Sequence, residues 1–136
     1  MPKMYFAMKT VIYKDKMILL IKRREKFKKK MWDIPGGGVK FGEKPVVALK
    51  REVKEEVGLS IEIIKPISFW TFFKNNKSTQ VFGVTVISKP TSTKIKLGKE
   101  HSDYKWILPK DVKKSEVGNG TYNDIKNFFL SKSQKF

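Results

Sequence analysis

The sequence predicts a single domain of the mixed α/β (α+β) class, and three observations carry that prediction. Strand-like and helix-like patterns alternate along the 136 residues, and strands outnumber helices. A glycine cluster, Gly36-Gly37-Gly38, opens a stretch whose apolar spacing then switches to the helical period. Hydrophobic residues make up 40% of the chain, enough for a real core at this length.

In chain order, Met4 to Tyr13 is rich in β-branched and aromatic residues and reads as a strand. Lys14-Asp15-Lys16 turns it into a partner strand over Met17 to Lys22. Arg23 to Lys30 is a charged loop, and Trp32 to Gly37 a short strand whose Trp32 is expected in the core. Past residue 60, IEIIK and ISFWTFF read as two strand-like runs separated by Pro66. Lys74 to Lys77 turns into a returning strand over Gln80 to Ser88, where Gly83 marks a bulge or a close backbone approach. Phe69, Trp70, Phe72 and Phe73 outnumber what one sheet face needs; one or two are candidates to line a pocket for a base, while buried core is the expected place of any single one. Lys89 to Gly98 reads as a mobile loop, and Pro109 to Val112 as a helical turn. Thr121 is the expected N-cap of a last helix carrying Ile125, Phe128 and Phe129, with 132–136 fraying.

Composition excludes several classes. With no cysteine there is neither a disulfide nor a thiolate metal site. No stretch approaches the ~20 apolar residues that span a bilayer, and Met1 to Thr10 does not resemble a signal peptide. A soluble, cytoplasmic protein is therefore expected. The net charge of +17 steers polyanions towards the chain. Only Arg23, Arg24 and Arg51 are arginines, however, and the lysines are dispersed, which reads as solvated surface and not as a base-reading face. Nucleotide phosphates are polyanions too, so charge alone does not separate a small nucleotide, the expected partner, from a nucleic acid.

The most informative stretch runs from 37 to 59. Pro45 suits the first turn of a helix, Glu43 places negative charge at its positive end, and Gly58 suits a left-handed cap, so the helix should span Pro45 to Val57. Val46, Leu49, Val53 and Val57 form one apolar face. Glu52, Glu55 and Glu56, at i, i+3 and i+4, gather on an adjacent face that Ala48 leaves uncrowded. Like charges so placed destabilise a helix, by ~0.2–0.5 kcal/mol per pair. Converging carboxylates are what a hard divalent cation takes as ligands. Arg51 can reach back to Glu43 and fix both side chains.

Gly37, five residues, Glu43, seven residues, then Arg51-Glu52-Val53-Lys54-Glu55-Glu56-Val57-Gly58-Leu59 resembles the Nudix box, GX5EX7REUXEEXGU with U apolar, at every defined position. The box covers residues 37–59, within one Nudix hydrolase domain over 1–136. The resemblance implies a mixed sheet sandwiched between helices, with the box as loop–helix–loop. It implies hydrolysis of a nucleoside diphosphate linked to another group, assisted by Mg²⁺ or Mn²⁺. The implied metal ligands are Glu52, Glu55, Glu56 and the Gly37 carbonyl. Glu100, in a segment similar to the "E, a few residues, W" that often follows such boxes, is a further ligand or the general base. Glu55 is the other candidate base, with Glu52 and Arg51 as further catalytic residues. Arg23 and Arg24 are candidate phosphate contacts, since the corresponding loop of MutT-like enzymes often supplies one. His101, the only histidine, is as well read as a loop residue as a group near the phosphates.

Substrate identity is less constrained. Two Nudix subfamilies carry a proline about sixteen residues past the box or a tyrosine nearby; here that position is Asn75, and no Pro or Tyr lies between Ser68 and Lys89. By elimination the expectation is a MutT-like nucleoside triphosphate pyrophosphohydrolase. Hydrolysis of ADP-ribose, a sugar nucleotide or a capped RNA end is the first alternative. A non-catalytic nucleotide- or RNA-binding domain is the second.

Overall fold

The computed structural model describes residues 1–24 and 31–133. Its element order is β1 (Lys3–Lys14), β2 (Met17–Arg23), β3 (Trp32–Asp33), β4 (Gly36–Gly38), α1 (Pro45–Val57), β5 (Ile61–Lys74), β6 (Thr79–Pro90), β7 (His101–Ile107) and α2 (Asn119–Ser133). Short 3₁₀ turns occupy Pro109–Asp111 and Lys114–Glu116. The sheet is mixed. β1 runs parallel to β6 from Lys3↔Thr79 to Ile12↔Ser88. On its other side β1 meets β4 at Ala7 to Lys9 and then β2 at Tyr13 and Lys14, both antiparallel. β5 lies outside β6, while β3 and β7 flank β2.

Successive side chains of a strand point to opposite faces, so a strand buried on both sides reads as an unbroken apolar run. MILLIK in β2 is such a run: Leu19 and Ile21 enter one core while Ile18 and Leu20 enter the other. Val11 and Ile12 of β1 divide in the same way, as do Val86 and Ile87 of β6. Leu49, Val53 and Val57 of α1 close the first core, and Ile125 and Phe128 of α2 close the second. The expected sheet sandwiched between helices is thus the observed one.

Several local expectations are corrected. Val46 is 46% exposed, because the first turn of α1 overhangs the sheet; Ala48 is buried in its stead. IEIIK and ISFWTFF form one strand, β5, with register shifts on either side of Pro66. Pro66 is tolerated because β5 is an edge strand, where a missing N–H leaves no neighbour unpaired. The segment after Pro90 is anchored: the Lys96 and Gly98 amides donate to the Val57 and Glu56 carbonyls of α1, each at 2.9 Å, and Ile95 and Leu97 pack on the core. α2 begins at Asn119, and Thr121 donates its hydroxyl to Asp33 Oδ1 at 2.6 Å where a cap was expected. Trp32 is half-buried, with Lys105 Nζ 4.4 Å from its ring centroid. Of residues 132–136, where fraying was expected, 132 and 133 continue α2, and 134–136 lie outside the described ones.

α2 is tied to the sheet by a buried acid as well as by its apolar face. Asp124 accepts hydrogen bonds from the Ser68 hydroxyl (2.6 Å) and the Thr85 hydroxyl (2.8 Å). Burial pushes its carboxyl above the ordinary range despite those bonds. The folded state therefore binds this proton more tightly than the unfolded chain does. Its contribution to stability is present below the unfolded pKa and declines as pH rises through the folded one. Asp124→Asn cannot ionise, so the melting temperature of the variant is expected to gain on wild type as pH rises from about 4 towards neutrality. A constant difference across that range would contradict this account.

Candidate active site

The acidic helix meets the sheet at β4. A Cβ at Gly37 would lie 2.4 Å from Cδ of Glu52 and 2.7 Å from both its carboxylate oxygens, so only glycine lets that carboxylate lie against the strand. One residue earlier, the Gly36 amide donates to Glu56 Oε1 at 2.9 Å. Two successive glycines of β4 thus seat two acids one helical turn apart. The glycine cluster and the acidic cluster, separate in the sequence, form one surface.

Arg51 orders the acids from the neighbouring side. Its Nε and Nη2 donate to the two Glu43 oxygens at 2.7 and 3.0 Å, so the expected pairing is present and is bidentate. Nη1 reaches Glu52 at 3.1 Å and Glu55 at 3.4 Å, and Nη2 also donates to the Gly38 carbonyl. Hydrogen bonds from Arg51 and from the Lys40 amide hold the Glu43 carboxyl down at about 2. The same partnership raises the Arg51 guanidinium further above its ordinary value. Arg51 is therefore a clamp between the loop and three acids.

Glu56 behaves in the opposite way. Burial is the main cause pushing its carboxyl up to about 8; the Gly36 amide opposes this and the nearby Glu52 charge adds to it. His101 is buried beside it, with Nε2 3.9 Å from Glu56 Oε2. Burial, and then the Arg23 charge, depress its pKa, which favours a neutral imidazole. His101 is thus no loop residue: it opens β7, buried beside Glu56.

The remaining predicted site residues lie on the segment that crosses the end of α1. Glu100 follows the anchored Gly98, is largely exposed, and pairs with Arg23 Nη2 at 3.1 Å. Arg24 turns onto the same segment, donating from Nε to the Lys99 carbonyl and from its amide to the Glu100 carbonyl. Residues 25–30 of the basic loop lie outside the described ones. Glu52, Glu56, Gly37, Arg51 and Glu55 are therefore gathered on one surface, with Glu100 and Arg23 paired on the adjoining segment.

Among the described residues no three acidic or imidazole side chains converge on one point; the Arg51 guanidinium supplies the charge that Glu52 and Glu55 share. The donor set still suits a hard divalent cation. It consists of carboxylates and a strand carbonyl, and it includes a buried carboxylate whose negative charge is only partly compensated.

Beside β4 opens a cavity of about 1330 Å³ between β5, β6 and α2. Arg23, Gly37 and Gly38 line one end, and Tyr5, Trp70 and Phe72 a wall. On the same cavity, Lys9 donates to Asp33 Oδ2 at 2.6 Å, and Asp33 in turn accepts from Thr121. Sequence reasoning missed Lys9, Asp33, Thr121 and Asp124, which no local motif joins. The lone glycine within β6 was the signal that pointed towards this wall.

Comparison with known proteins agrees with this geometry. The NUDIX domain model matches residues 6–126. The nucleoside triphosphatase NudI of Escherichia coli K12 is 31% identical over 91 residues, covering 60% of this chain and 64% of the relative. The chain thus spans a little under two thirds of the curated relatives it matches. The crystal structure of a MutT NUDIX hydrolase from Burkholderia pseudomallei superposes with a TM-score of 0.80 at 21% identity, over 91% of this chain and 97% of that one. An ADP-ribose pyrophosphatase from Streptococcus suis does so with a TM-score of 0.75 at 17% identity, over 97% and 94%. Among the described residues no helix is long and apolar enough to cross a membrane. With the family model matching most of its length, and the complete box seated on β4, the chain belongs to the Nudix hydrolase family.

Proposed function

We propose that this chain, acting as one domain over residues 1–136, is a cytoplasmic, divalent-metal-dependent pyrophosphohydrolase of nucleoside triphosphates. The observation that carries the reading is the cavity, whose lining combines Gly37 and Gly38 of β4, the strand against which Glu52 lies, with aromatic side chains of β5. A nucleotide has that same division, a polyanionic end and a planar end. The similarity to a nucleoside triphosphatase supports the choice of substrate class over ADP-ribose.

In this reading Glu52, Glu56 and the Gly37 carbonyl would hold Mg²⁺ or Mn²⁺, with Glu55 and Glu100 as the further candidate ligands. A bound divalent ion lowers the pKa of a water ligand and offsets charge on the phosphates. The chain supplies the rest. Arg51 keeps Glu52 and Glu55 in register through Glu43. Glu55 or Glu100, each more than half exposed, accepts the proton of the attacking water. Arg23 offers the phosphates a cation from the cavity end. Water adds to phosphorus, the bridging oxygen leaves, and a nucleoside monophosphate and pyrophosphate result.

Purified protein assayed with Mg²⁺ against nucleoside triphosphates (8-oxo-dGTP among them), ADP-ribose, sugar nucleotides and dinucleoside polyphosphates is expected to turn over triphosphates most efficiently. Glu56→Gln is expected to lower kcat by about 10²-fold or more with its far-UV circular dichroism unchanged, as for loss of a transition-state charge stabiliser. Unchanged activity in that variant would remove the assigned role.

The charge of +17 favours a second reading, in which an RNA end is bound or hydrolysed. Salt separates the two. A long polyanion held by many lysines loses affinity steeply, by about 10³-fold or more between 50 and 200 mM salt, whereas a nucleotide held through metal is far less sensitive.

A further inference from the structure

The aromatic wall of the cavity carries an arrangement that the acidic helix does not use. A Cβ at Gly83 of β6 would lie 2.2, 2.3 and 2.6 Å from Cζ2, Cη2 and Cε2 of Trp70. Three successive ring atoms at nearly equal distance place the face of the indole over the glycine, because an edge-on ring would bring one atom much closer than its neighbours. The indole therefore lies flat on the strand, and Trp70 is part of the cavity wall.

Hydrogen bonds fix its rotation in that plane. Trp70 Nε1–H donates to Thr85 Oγ1 at 2.9 Å, and the Thr85 hydroxyl donates to Asp124 Oδ2 at 2.8 Å. The indole can only donate, so the Thr85 oxygen accepts from it and turns its own proton to Asp124 Oδ2. Thr85 is fully buried and Asp124 is 5% exposed, so water has no ready access to replace either partner. The Ser68 hydroxyl holds the other Asp124 oxygen. Phe72 lies within 11° of the indole plane with ring centroids 6.0 Å apart, which extends the flat surface along β5.

We propose that Trp70 is the surface on which a planar heteroaromatic ring of the ligand stacks, and that Asp124, acting through Thr85, is the positioning residue that holds the indole flat for it. The proposal deepens the nucleotide reading and rests on it for the ring's identity. A π-face recognises ring shape and overlap and not an edge pattern of donors and acceptors, so this wall supplies affinity common to several bases. Because the contact is equal in ground and transition states, it acts on KM and not on kcat.

The test is quenching of intrinsic fluorescence by GMP in the absence of divalent metal, with Trp70→Leu assigning the signal to Trp70. Thr85→Val keeps the shape of the side chain and removes the relay; it is expected to weaken GMP binding about tenfold, the order of one base–aromatic stack. Thr85→Ser restores the hydroxyl and should bind as wild type. Gly83→Ala, whose methyl takes the place of the indole, should bind at least as weakly as Thr85→Val. In steady state Thr85→Val should raise KM by a similar factor at unchanged kcat. Wild-type GMP affinity in Thr85→Val, or a fall in kcat at constant KM, would overturn the proposal while leaving the proposed reaction standing. Thr85-dependent quenching in a protein inactive on the whole nucleotide panel would support the stacking wall and overturn the reaction instead.

Discussion

The site depends on how closely α1 approaches β4. A helix and a strand ordinarily keep their backbones apart by the thickness of their side chains. Here Gly37 has none, so the Glu52 carboxylate occupies that space, and the Gly36 amide is free to hold Glu56. Arg51 then secures the approach from the loop side by gripping Glu43, Glu52 and the Gly38 carbonyl together. Fixing the acids by a strand edge and a guanidinium keeps them close despite their mutual repulsion. It also leaves one of them, Glu56, holding charge only with difficulty.

The sheet makes this approach rigid. β1, β2 and β6 each send alternate side chains into cores on opposite faces, so neither α1 nor α2 can shift without opening one of them. The two helices serve different parts of the molecule. α1 brings the acids to one face of β4, while α2 stands over the outer half of β5 and β6 and walls the cavity. Asp124, Ser68, Thr85 and Trp70 connect that helix to the sheet by polar contacts inside an otherwise apolar packing. Such a network specifies one docking geometry, because any other would strand a buried polar group.

Local features were the legible ones. The bounds of α1, its proline start, its Gly58 cap and the Arg51–Glu43 pairing all follow from residues within one short stretch, where spacing alone dictates proximity. The sandwich was legible only through the resemblance of residues 37–59 to the Nudix box; that MILLIK is buried on both faces emerged from the structure. What the sequence concealed were pairings between distant positions. Lys9 meets Asp33 across 24 residues, Ser68 meets Asp124 across 56, and Asp33 meets Thr121 across 88. Thr121 shows why such pairings mislead: its position beside a helix start fits a cap, yet its hydroxyl donates to the Asp33 carboxylate, 88 residues away in the sequence. Val46 fits the apolar periodicity of α1 and is exposed only because the helix outreaches the sheet beneath it. Pro66 reads as a break until β5 is known to be an edge strand.

The parallel pairing of β1 with β6 bears on how the chain acquires its shape. Lys3 pairs with Thr79 and Ile12 with Ser88, so each link of that ladder closes a loop of 76 residues. Non-local pairing of this kind is slow, since chain entropy is lost before contacts compensate for it. On a ribosome β1 emerges first, and its β6 edge must wait until the whole acidic helix and β5 have followed. The hairpin of β1 with β2 and the helix α1 are local and can form in the interval. The acids would then be carried on a formed helix before the strand that completes their support is made, and the basic surface of the nascent chain, rather than its core, would keep it soluble meanwhile.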